Sequence, residues 1–274
     1  MTPSRRAGTA LAELILATMI VGVAAGIGAA ILVAAERRTR ADASSDRAVQ
    51  SVRDVTRLLV GDLEAALPES VVVRGDTAID LYAHVGASVA CVAAGTVLVV
   101  PGASVVTGVP LTFWRQWPEA GDLAIVWDSA GGGRWDQALI DSVSAPADGG
   151  GCATTSGFRS AADSVARLAV ARVRLDRALS PGVIAGAPLR IFRGGRWLLH
   201  RGSDRSWSLA YRRCARSVCS AAQPVAGPLA AAADTGLAVH VSSSGRIEIS
   251  VRAAGARIGR RFIVVVRGAL SALP

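Results

Sequence analysis

Hydrophobic positions change their spacing twice along this chain. From Leu14 to Ala35 every residue except Thr18 is apolar, a run of 22. Coiled as a helix at about 1.5 Å per residue, that run covers about 33 Å, enough to cross a hydrocarbon core. Further on the apolar residues thin out to spacings of three and four, at Val49, Val52, Val55, Leu59, Leu63 and Leu67, with Arg, Asp and Glu between them. This is the stripe of a helix with one buried side, and Pro68 stops it because proline lacks the N–H that a helix interior needs. The pattern predicts one helix over about residues 10–67, roughly 85 Å long. Its first half is apolar all round, and its second half needs a body to lie on.

Beyond Pro68 the period shortens to two. Leu237, Val239 and Val241 alternate with smaller or polar neighbours, Ser242 to Gly245 make a turn, and Ile247, Ile249 and Val251 alternate with Arg246, Glu248, Ser250 and Arg252. That predicts a hairpin with one buried face. Phe262 to Val266 reads as a continuous apolar strand, and Ala124 to Trp127 with Trp135 flank the turn Gly131-Gly132-Gly133 as a second hairpin. The fold class predicted is α+β, with an antiparallel sheet wrapped on the long N-terminal helix. Residues 9–35 form the membrane half of that helix, 36–67 its amphipathic half, and 68–274 a β-rich head.

Composition narrows this picture. The chain has 274 residues, 51% of them hydrophobic, and a mean hydropathy of +0.40, yet the apolar runs after position 36 are strand-sized, which excludes a polytopic protein. Net charge is +9 and every basic residue is Arg. A high-GC codon habit accounts for that as well as nucleic-acid binding does. Its distribution is more telling: residues 68–158 hold 3 Arg against 9 acids, and residues 159–274 hold 19 Arg against 5. A head acidic in its first half and basic in its second suggests electrostatically directed contacts, with the basic half facing an acidic partner.

Four cysteines form an even set, as in a disulfide-permissive compartment. Closing a loop over four residues costs little entropy, so Cys214 pairs with Cys219 and Cys91 is left for Cys152. The rival, zinc, lacks a C-x-x-C, and His84, His200 and His240 are scattered without ligand spacing. Asp128 and Asp136 flank the glycine turn, but their spacing fits no known calcium loop, and a solvated turn is the plainer reading. The six Trp read as core and edge residues. No nucleophile elbow, Walker loop or zinc-protease motif is present. No catalysis, cofactor or metal is expected.

The N-terminus is the most specific part. Glu13 stands at the mouth of the apolar run, where a carboxylate is costly unless paired. A secretory signal would not open its apolar region with an acid, although Val33-Ala34-Ala35 would serve as a small-residue cleavage site. Gly22 and Gly26 form a G-x-x-x-G on which helices can approach closely. A short basic leader, Met1 to Gly8, ends in Gly, and Thr9-Ala10-Leu11-Ala12-Glu13-Leu14 leads into the apolar run. This resembles the prepilin signal of type IV pilin-like proteins. The resemblance implies cleavage by a prepilin peptidase between Gly8 and Thr9, N-methylation of Thr9, and a role in assembly for Glu13, whose partner would be an α-ammonium exposed by cleavage. Thr9 stands where the family usually has Phe.

The order of segments in the C-terminal third is similar to the J-type minor pseudopilin of type II secretion and the W-type minor pilin, relative to which residues 101–165 look like an insertion. What this implies is a structural subunit that primes or caps a pseudopilus or pilus. It would be anchored in the inner membrane with a periplasmic head, and its partners would be other minor and major pseudopilins or pilins and membrane lipid. Two other classes stay open: a DNA-binding minor pilin of a competence system, for which the Arg-rich half is the motive, and a membrane-anchored periplasmic protein of another activity.

Overall fold

A computed structural model of the chain describes residues 6–101, 105–106, 109–110, 112–130, 132–145, 152, 170–216, 218–242, 246–255 and 259–264. Residues 1–5 of the expected leader, the turn residues Gly131 and 243–245, and most of 146–169 lie outside them. Helix α1 runs Arg6–Glu64. No proline interrupts that stretch, and Ala, the best helix former, is its commonest residue. The chain divides into two compact units, Met1–Gln50 and Ser51–Pro274.

The first unit is helix throughout its described part. It is long and apolar enough to cross a membrane, and its large apolar side chains are exposed, Leu32 at 72% and Val21 at 67%. Val49, expected to open the buried stripe, is also exposed.

The second unit begins with the last turns of α1. Here the stripe is buried as its spacing requires: Val55, Leu59 and Leu63 are fully inaccessible and Val52 nearly so. Each such side chain contributes about 1.5–3 kcal/mol by leaving water. The helix stops at Glu64, three residues before the expected Leu67. Ala66 bridges to Ala83 and the Leu67 N–H donates to the Tyr82 carbonyl at 2.9 Å, so strand pairing takes the backbone before Pro68 opens a short 3-10 turn, Pro68–Ser70.

Strands follow in the order β1 Val72–Arg74, β2 Ala78–Val89, β3 Val92–Ala94, β4 Val97–Val100, β5 Val105–Val106, β6 Val109–Pro110, β7 Phe113–Trp114, β8 Leu123–Asp128 and β9 Arg134–Ser144. Then come β10 Ala171–Leu175, β11 Pro188–Arg201, β12 Trp207–Ala215, β13 Val218–Cys219, β14 Gln223–Leu229, β15 Leu237–Val241, β16 Ile247–Val251 and β17 Arg260–Val264. All pairings are antiparallel. Twelve strands make one sheet, ordered β1-β2-β11-β8-β9-β10-β4-β3, with β7 beside β2 and β12 joining β11 to β13 and β14.

The longest strand, β11, organises this sheet. Its odd positions Leu189, Ile191, Trp197 and Leu199 are buried. Leu189 and Ile191 join a core that draws Val85 from β2, Ala124 and Val126 from β8, Val173 from β10 and Leu98 from β4, so strands from β2 to β4 share one interior. At the other end of β11, the Trp197 indole N–H donates to Asp62 of α1 at 3.2 Å. Gly194 has to be glycine, since a Cβ there would lie 2.5 Å from the Cys214 carbonyl oxygen. The edge strand β14 carries Pro224 and Pro228, which have no N–H to offer a further strand.

The α+β architecture expected from sequence, a long N-terminal helix and an antiparallel β-rich head, is the one observed, with the strands divided among more than one sheet. The hairpin at residues 237–251 forms as read, with Val239 opposite Ile249. It belongs to a separate three-stranded sheet, β15-β16-β17, tied to the turn between β1 and β2 by the Val239 N–H donating to the Asp76 carbonyl at 2.7 Å. Within the stretch 101–165, β8 and β9 form the expected hairpin and sit in the interior of the main sheet.

Candidate functional site

Gly8 and Thr9 lie in the first turns of α1, and Glu13 follows on the same helix, exposed and without an ion pair among the described residues. At Gly22 and Gly26 an added Cβ would meet nothing within 4 Å, which leaves this stretch of helix open to a close neighbour. The one polar side chain of the run, Thr18, turns its hydroxyl onto the Ile15 carbonyl at 2.9 Å, so it presents no unsatisfied donor to an apolar solvent. Beyond Ala35, Arg40 pairs with Glu36 one turn back.

In the head, Cys214 and Cys219 are directly opposed on β12 and β13, with Cα atoms 4.0 Å apart, and are joined by a disulfide. A second bridge joins Cys91 to Cys152, Cα atoms 5.3 Å apart, against Val99 and Val170. Among the described residues no group of three His, Cys, Asp or Glu is placed to hold a metal. His84 is half-buried with its ring edge-on to Phe192, and burial, then Arg190 and Arg115, push its pKa down.

The two charged halves of the head meet each other. Asp122, fully buried, accepts from Arg193 through Nε at 2.9 Å and Nη2 at 2.8 Å, and from the Glu119 N–H at 2.9 Å. Arg193 also donates to Gln116 at 2.6 Å and to the Trp117 carbonyl at 2.9 Å, and its bond to Asp122 outweighs burial and raises its pKa. Arg213 reaches the same loop at Glu119 and the Ala120 carbonyl. Two arginines of the basic half thus pin the loop 115–122 of the acidic half across β11 and β12. Within the same loop Arg115 reaches back to Asp62 of α1 at 3.2 Å. The opposite net charges were legible in the sequence, but which Arg meets which acid depends on strand register.

Asp80 takes Arg196 and Arg74, and Asp136 takes Arg177 and the Ser180 N–H at 2.7 Å. The solvated turn expected around Asp128 and Asp136 is therefore corrected. Asp128 is inaccessible to solvent and accepts from the Ser180 hydroxyl at 2.5 Å, because Ser180 on the loop before β11 folds over the hairpin end and bonds both carboxylates. Of the Trp, Trp127 and Trp135 stack edge to face at 5.1 Å, Trp197 is core, and Trp117 is exposed.

Burial alone would raise the Asp80 and Asp136 pKa values. The bonds and charges of Arg196 and Arg74 on Asp80, and of Ser180 and Arg177 on Asp136, outweigh it and leave both below the ordinary 3.8. A carboxyl that holds its proton less tightly folded than unfolded gives stability above its unfolded pKa, about 3.9, and loses it as pH falls through the folded value. The expected result is a Tm that holds down to about pH 5 and drops below about pH 4. Asp80→Asn should show a shallower acid limb, and an acid limb parallel to wild type would remove Asp80 from this account.

Comparison with protein-family models, with curated proteins and with solved structures gives no match to this chain.

Proposed function

We propose that the chain is a type IV pilin-like subunit, a minor pseudopilin or minor pilin with a structural role in priming or capping a filament. One observation carries the reading: Gly8, Glu13 and an apolar run from Leu14 to Ala35 come in that order on a helix that has a β-rich, disulfide-bonded unit after it. The apolar run supports a membrane anchor, and the two disulfides suit an oxidising compartment for the head. Glu13 then has a task that explains its cost, since a neighbouring subunit's α-ammonium at the same depth would neutralise it and set the axial register of assembly.

The test is processing. Co-expression with a prepilin peptidase is expected to remove eight residues, leaving Thr9 as the N-terminus, and intact-mass measurement reads this directly. Cleavage near Ala35, or an unchanged mass, would end the pilin reading. A second reading, DNA binding by the head, is favoured by Arg172, Arg174 and Arg190, which are exposed without a carboxylate in reach among the described residues. It requires an affinity for DNA that falls steeply with salt.

A further inference from the structure

We infer that Arg37, Arg38 and Arg40 bind the phosphates of anionic phospholipids in the leaflet that α1 leaves at Ala35. The inference rests on the reading above only in taking Leu14–Ala35 as the segment within the bilayer.

Charge on this helix is sorted by distance from the apolar run. The five residues 36–40 carry 3 Arg and 1 acid, whereas residues 41–64 carry 3 Arg and 5 acids. A merely solvated helix has no reason to sort its charges in this way. Depth supplies one. The 22 apolar residues match a hydrocarbon core of about 30 Å, and the headgroup layer beyond it is about 5–8 Å thick. Glu36 to Arg40 rise about 6 Å along the axis, so they fall inside that layer, while Asp42 lies about 10 Å past Ala35 and clears it. Cations outnumber acids three to one at the level of the phosphates, and acids outnumber cations only beyond it.

The angular positions agree. At about 100° per residue Arg37, Arg38 and Arg40 fall within an arc of about 160°, with Glu36 at its edge. Glu36 is taken up by Arg40, and both side chains remain well exposed, at 60% and 77%. Arg37 and Arg38 are exposed and have no carboxylate in reach among the described residues. The guanidinium groups of Arg37 and Arg38 are thus left whole for phosphate oxygens, an acceptor whose geometry they fit, and Arg40, which spends one nitrogen on Glu36, keeps further N–H donors for the same acceptor.

The experiment uses the full chain reconstituted in vesicles of equal parts phosphatidylglycerol and phosphatidylcholine, with retained lipid counted by native mass spectrometry after mild detergent release. Wild type is expected to retain phosphatidylglycerol over phosphatidylcholine by about fivefold or more, the preference that one basic side chain near an anionic surface supplies. Combined Arg37→Gln, Arg38→Gln and Arg40→Gln is expected to bring the ratio to about one, and added inorganic phosphate should displace no lipid. Resistance to alkaline extraction, measured on the same vesicles, separates the two layers of argument. A wild-type chain that resists extraction yet shows no preference, keeps it in the triple variant, or gives it up to inorganic phosphate overturns the lipid contact alone. A wild-type chain released by alkali overturns the membrane reading with it.

Discussion

Replacing Asp122 by Ala is expected to destabilise the head by about 3–5 kcal/mol, the usual result of removing one partner of a buried ion pair. The reason lies in what remains. The Arg193 side chain is only 12% exposed and would keep its charge in a place that water hardly reaches. The Glu119 N–H would lose its acceptor, and the loop carrying Gln116 and Trp117 would lose its anchor. Against a typical total of about 5–15 kcal/mol, that loss leaves a marginal fold. Thermal melts of the full chain followed by tryptophan ellipticity measure it. The paired change Asp122→Leu with Arg193→Met removes both charges together and is expected to recover much of the loss, because desolvation of the pair offsets most of its attraction. A loss below about 1 kcal/mol in Asp122→Ala would mean that Arg193 finds water or another partner, and the clamp would not be what holds the loop.

If the chain is the pilin-like subunit proposed above, Glu13→Ala is expected to leave membrane insertion and removal of the leader intact while lowering entry into filaments or tip complexes by at least about tenfold, the equivalent of about 1.4 kcal/mol per subunit contact. Insertion persists because the change makes the apolar run longer. Assembly suffers because a free α-ammonium at the same depth is then left unpaired in a poor solvent for charge. Glu13→Gln separates charge from hydrogen bonding, and it is expected to behave like Ala, since an amide cannot neutralise an ammonium. The measurement is the ratio of sheared or crosslinked filament fraction to membrane fraction in cells that express a pilin or pseudopilin assembly system. Wild-type incorporation of either variant would reduce Glu13 to a headgroup-level bystander.

The helix, the hairpin over residues 237–251 and the close cysteine pair follow from local rules that need no partner. Twenty-two apolar residues cannot be solvated in any other regular form, a three-and-four stripe selects one helix face, and Leu237–Val251 alternates with period two around a polar turn. Such patterns state what an element is and which side of it must be covered. What covers it is a different question, decided over distances along the chain that local pattern does not encode.

β11 pairs with β2, about a hundred residues earlier, and with β8 on its other side, and nothing in its own alternation selects these two neighbours. The small sheet separates from the large one although both carry the same period. Burial of Val52 to Leu63 and exposure of Val49 divide one unbroken stripe where the helix passes from one unit to the next. Asp128, read as solvated between glycines, is sealed by Ser180, a residue 52 positions away. The charge imbalance between the halves was visible as a count, but a count has no geometry. Register alone set Arg193 against Asp122 and Arg196 against Asp80, because a pair forms only where two backbones already hold the side chains within reach, and that placement comes from the pairing of β11 with β2 and β8.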